Sequence, residues 1–168
     1  MGQVAKPNRE SVTVFNSPFE LGIRMVYLLN AMYPDGADLQ KLVLLDYAVV
    51  YSADLGGPES LHPPVPFRGG EYLSRRELIE KGLYIMSTRG LVGARLDDSG
   101  ITYIAGPSAR AMVGALEAEY LRNLDERCGW AAQKYTSADS GQLTREFAEK
   151  GHLWGAELAG LAGGEQLI

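Results

Sequence analysis

Few side chains in this sequence are of the types and spacings that carry out chemistry. Its two histidines, His62 and His152, stand about ninety positions apart. Neither has a cysteine or a second histidine at the short spacing a zinc site needs. The one cysteine, Cys128, lies in a helical pattern without a histidine near it in sequence, and reads as a small packed hydrophobe. A single cysteine also excludes an internal disulfide framework. No glycine-rich phosphate loop follows an expected strand, and no Gly-x-Ser-x-Gly elbow occurs. Asp97 and Asp98 occupy the turn Asp97-Asp98-Ser99-Gly100, where aspartate is favoured for backbone reasons. Asp46 stands inside an apolar run and, if covered, needs a partner such as Arg24 or a nearby backbone group. These residues predict no catalytic group, no metal and no cofactor.

Recognition is what remains, and two segments carry it. Residues 52–72 hold four prolines and four glycines, which forbid regular structure, yet they also hold Leu55, Leu61, Val65, Phe67 and Tyr72. A linker would be polar, so this loop is either packed on its own domain or an ordered contact surface. Leu61, His62, Phe67 and Arg68 are its candidate partner-binding residues. The second segment, residues 68–95, carries six cations against three glutamates, a local +3 on a chain of net charge −5. Arg75, Arg76, Lys81, Arg89 and Arg95 are therefore the candidates for a polyanion-facing surface.

These candidates must be positioned by a mostly helical α+β fold. Ser17-Pro18-Phe19-Glu20 is a helix start, and the helix to about Tyr33 is apolar on most faces. Asp38 caps a second apolar helix to about Tyr51. Ser74 and Glu77 form a capping box for a third, which ends at Gly90. A hairpin follows, Leu91–Leu96 and Ile101–Ile104, with a turn at Gly100 closing on a bulge. Helix, glycine exit and two-stranded wing read as a winged helix-turn-helix core. Val12–Phe15 is expected as a further strand beside the wing. After Gly106-Pro107, one long helix to about Tyr135 would carry Met112, Leu116, Tyr120 and Leu124 on a stripe, and a last helix would run from Gln142 to Leu161.

The expected organisation is thus a mobile arm (1–11), a winged-helix domain (12–106), C-terminal interface helices (107–162) and a tail (163–168). A chain 46% apolar has ample material for a core. Its longest nearly uncharged run, Leu42–Tyr51, is half a bilayer crossing, and the polar start lacks a signal peptide's apolar centre. A soluble cytoplasmic protein without a membrane partner is expected.

Several runs resemble the middle component of ABC-three-component systems. They are Phe15 to Arg24, Leu45-Asp46-Tyr47, Asp54 to Pro63, Pro66-Phe67-Arg68 and Arg75 to Ile79, with Asp54-Leu55-Gly56-Gly57-Pro58-Glu59-Ser60-Leu61-His62-Pro63 the most specific. The resemblance spans roughly Phe15 to Tyr135. It implies a non-catalytic adaptor between an ABC ATPase of the SMC/Rad50 type and an effector, in prokaryotic defence against phage and other invading DNA. It transfers no functional residue. The competing reading is a stand-alone dimeric winged-helix transcriptional regulator. Homodimerisation through the helices after Pro107 and direct contact with DNA are further expectations on partners. Against base reading, Glu77 and Glu80 follow Arg75 and Arg76 closely on the third helix.

Overall fold

The computed structural model of the chain describes residues 17–65 and 72–150. Ser17 caps α1 (Pro18–Met32), its hydroxyl accepting from the Glu20 amide at 3.2 Å while Pro18 fills the first turn. Asp38 caps α2 (Leu39–Val50) by accepting from the Lys41 amide at 2.8 Å. Both helices are apolar almost all round, and both are correspondingly enclosed. A short 3-10 turn, Ser52–Leu55, begins the connection to α3 (Tyr72–Ser87).

Gly90, at φ 70°, ends the turn after α3, and the antiparallel hairpin β1 (Val92–Asp97) and β2 (Gly100–Ala105) follows. Its register runs one for one from Val92↔Ala105 to Asp97↔Gly100, so the turn has two residues and no bulge. Ala37, between α1 and α2, bridges Tyr103 on β2 through a pair of backbone hydrogen bonds of 2.9 and 2.8 Å. The expected strand at Val12–Phe15 lies outside the described residues.

The C-terminal part is α4 (Ala109–Ala115), α5 (Glu119–Tyr135) and α6 (Ser140–Ala148). Six α-helices and one two-stranded sheet among the described residues make this a mostly helical α+β fold. The expected single helix from Pro107 to Tyr135 is in fact two, broken where Leu116 turns extended. Of its stripe, Leu124 is fully buried, Met112 and Tyr120 are half-buried and Leu116 is exposed. The Ser74–Glu77 capping box also gives way: α3 already starts at Tyr72, whose ring is buried, so Ser74 lies inside the helix. The last helix is described to Ala148, and Trp154 and Leu158 fall outside the described residues.

One core runs through all of this. α1 and α2 fill it, α3 lies across α1, and α5 and α6 close it with Leu124, Cys128, Ala131, Tyr135, Leu143 and Phe147. α1 and α3 touch backbone to backbone. A Cβ built on Gly82 would stand 2.5 Å from the Pro18 carbonyl oxygen and 2.6 Å from the Gly22 nitrogen, so only hydrogen fits there. No helix among the described residues is long and apolar enough to cross a membrane.

Candidate functional site

Asp46, on α2, is 1% exposed and sits at the centre of a charged cluster inside the core. Arg24 of α1 grips it with two bonds, Nε to Oδ1 at 2.8 Å and Nη2 to Oδ2 at 3.0 Å. Arg75 of α3 adds Nη1 to Oδ2 at 2.7 Å. The Arg75 guanidinium also lies over the Tyr47 ring, 4.2 Å from its centroid. Three helices are thus tied through one carboxylate. Such a bidentate fork is the geometry in which buried charges offset their loss of hydration.

The cluster extends to the loop. His62 Nε2 lies 2.8 Å from the Tyr120 hydroxyl on α5, and the two rings stack with centroids 6.0 Å apart. Burial together with the neighbouring Arg24 cation pushes His62 down to about 4, so its ring is neutral at pH 7. Burial alone would raise Asp46, but Arg24 and Arg75 outweigh it and hold the carboxyl at about 2. Burial likewise opposes the Arg24 cation, and Asp46 more than reverses that, so its pKa stands above the ordinary arginine value. A carboxylate this acidic, with both oxygens occupied, is poorly suited to accept a proton near neutrality. Burial also pushes the Cys128 thiol well above its ordinary range, away from thiolate chemistry. Among the described residues, no group of three or more His, Cys, Asp or Glu could hold a metal ion.

The first half of the loop is fastened to α5. Arg127 Nε donates to the Glu59 carbonyl at 2.8 Å, and Lys134 Nζ donates to the Leu55 carbonyl at 2.8 Å. Gly57 packs flat against Trp130, where a Cβ would strike the indole. The Ser52 hydroxyl donates to the Pro58 carbonyl at 2.9 Å, and the His62 amide to the Val50 carbonyl at 3.2 Å. Beyond His62, Pro63 to Val65 are exposed.

The structure therefore sorts the sequence candidates. Leu61 is half-buried against the core and His62 is held by Tyr120. Phe67 and Arg68 lie outside the described residues. Arg75, expected on a nucleic-acid-facing surface, is instead inside the core and bound to Asp46, because it shares the buried stripe of α3 with Tyr72, Ile79, Gly82, Leu83 and Met86. Arg75, expected to face nucleic acid, is thus bonded to Asp46, and His62, expected to face a protein partner, lies against Tyr120.

Arg76, Lys81, Arg89 and Arg95 do reach the surface. Lys81 pairs with Glu77 at 3.1 Å, Arg89 lies over Phe19 at 5.6 Å from the ring centroid, and Arg95 faces Thr102 across the hairpin. In sequence they are interleaved with Glu77 and Glu80 on α3 and with Asp97 and Asp98 at the end of β1 and in the hairpin turn.

Two features were not anticipated. Tyr120 as the partner of His62 has no local signal, since they are 58 positions apart. The outer face of α3 does have one: Gly82 inside a helical pattern marks a close backbone approach. That approach brings Pro18 alongside Glu77, Glu80, Lys81, Tyr84 and Ile85, and these six line a groove of about 580 Å³.

The family model for the ABC-three component (ABC-3C) system Middle Component 2 matches residues 14–157. The chain belongs to that family, as a middle component of such a system. Comparison with curated proteins and with solved structures returned no match.

Proposed function

We propose that the protein is a non-catalytic adaptor that joins the SMC/Rad50-like ABC ATPase of its system to an effector, in cytoplasmic defence against phage and plasmid DNA. Membership of the middle-component family is the observation that carries this reading. The structure supports it with a rigid body: three helices locked through Asp46 and a loop pinned to α5 leave little to reorder on binding. The body is a winged helix in this reading, supported by the order α1, Ala37 bridge, α2, α3 and hairpin. The loop end after His62, with Phe67 and Arg68, is one proposed partner contact.

A stand-alone regulator would need α3 to read bases, and the burial of Arg75 and the outward Glu77 and Glu80 weigh against that. The test is reconstitution of the three components. ATPase and effector should co-purify only when this chain is present. Their equal co-purification without it, or failure of this chain to bind either, would refute the adaptor.

A further inference from the structure

The groove on the outer face of α3 is built by the contact of Gly22 with Gly82, which sets the first turn of α1 against α3. Its walls are apolar: Pro18, Ile85 and Tyr84, the last 72% exposed. Its rim carries Glu77, Glu80 and Lys81. Lys81 is matched by Glu77 one helical turn away, which leaves Glu80 without an ion pair among the described residues. The groove is therefore an apolar slot whose lining carries two carboxylates and one ammonium, a net −1, with Arg76 one helical turn before Glu80.

Nucleic acid is disfavoured there, because the lining offers a phosphate backbone two carboxylates and one lysine already paired with Glu77. A protein segment that offers an aliphatic or aromatic side chain to the Pro18–Tyr84–Ile85 wall and a Lys or Arg to Glu80 fits both halves. From this charge complementarity and the exposed aromatic wall we infer that the α1–α3 groove is a docking site for a basic, apolar-anchored segment of a partner protein. The inference rests on the adaptor reading and gives that adaptor a contact face besides the loop.

The experiment is nuclease-treated capture of the two other components of the same system, co-expressed with the wild type, Tyr84→Ala, Glu80→Gln or Glu80→Lys. All three substitutions are at exposed positions, so thermal midpoints should stay within a few degrees of wild type. A groove hot spot predicts that Tyr84→Ala and Glu80→Lys each weaken capture of one component by about 30-fold, with Glu80→Gln between them and wild type. Capture of both components unchanged within threefold in Glu80→Lys and Tyr84→Ala would overturn the groove and leave the adaptor standing. Capture that disappears on nuclease treatment would assign the contact to nucleic acid and overturn it as well. A wild type that captures neither component would overturn the adaptor, and the groove with it.

Discussion

Arg75 and Arg76 are neighbours with the same side chain, and they belong to opposite regions of the molecule. Arg75 is turned inward, 8% exposed, and bonded to Asp46 beside Tyr47. Arg76 is half-buried at the edge of the same helix, beside Tyr72. The inner region is a low-dielectric cluster in which each charge depends on another. The outer face, with its exposed Glu77–Lys81 pair, is solvated, and its charges are nearly independent. Identical chemistry thus has two meanings: inside it holds helices together, outside it is available to partners.

The sharpest way to break this contrast is to remove the shared carboxylate. Asp46→Ala leaves Arg24 and Arg75 buried without an anion, and should destabilise the protein by about 3–5 kcal/mol. Arg75→Met leaves Asp46 gripped by Arg24 and should cost about 1–3 kcal/mol, whereas Arg76→Ala should stay within about 0.5 kcal/mol. Denaturant unfolding of the three variants checks this. Equal effects for Arg75 and Arg76 would erase the distinction between the regions.

A smaller loss tests the contact that joins the regions. Gly82→Ala forces a methyl group against the Pro18 and Gly22 backbones and should cost about 1–3 kcal/mol. Because the clash is with backbone, α1 and α3 must separate, so the variant should also lose partner capture through the groove. A thermal midpoint unchanged from wild type would show that the helices are not in backbone contact.

The remaining expected effect is a change of slope with pH. His62 titrates near 6.5 when unfolded and at about 4 when folded, so the unfolded chain takes up the proton first. Its contribution to stability is therefore complete above about pH 6.5 and is lost as pH falls towards 4. Asp46 acts lower down, its contribution being lost between 3.8 and about 2. His62→Gln should flatten the upper interval and spare the lower one, read as the difference in thermal midpoint between variant and wild type across pH. Parallel curves between pH 6.5 and 4 would remove His62 from the inner cluster.

How much of this was legible depended on whether the signal was local. Ser17-Pro18 and Asp38 marked α1 and α2 because caps satisfy amides within one turn, a requirement written in adjacent residues. Gly90 and Gly100 marked the hairpin because positive φ favours glycine. The Asp46–Arg24 pair was foreseeable, since a carboxylate in an apolar helix needs a partner. The start of α3 was misplaced because burial of the Tyr72 ring outweighs a well-formed capping motif downstream. The break before α5 carries no proline or cap; it accompanies the seating of Tyr120 beside His62 and of Leu124 against α1, contacts made far away in sequence. Arg75 was assigned to the surface for the same reason. Arg75 shares the buried stripe of Tyr72, Ile79, Leu83 and Met86, and Arg76, one residue on, lies about 100° round the helix from it.

The fastenings of the loop and core have a consequence for the ion atmosphere. Arg24 and Arg75 share the single carboxylate of Asp46, while Lys41, Arg127 and Lys134 donate to the carbonyls of Thr136, Glu59 and Leu55. These cations are enclosed or tethered, whereas most acidic side chains on the described helices face water. The formal total of −5 is unchanged by these contacts, but the side chains that meet water on the described helices are weighted towards acids. Two such bodies, each of net charge −5, repel at long range, and added salt weakens that repulsion.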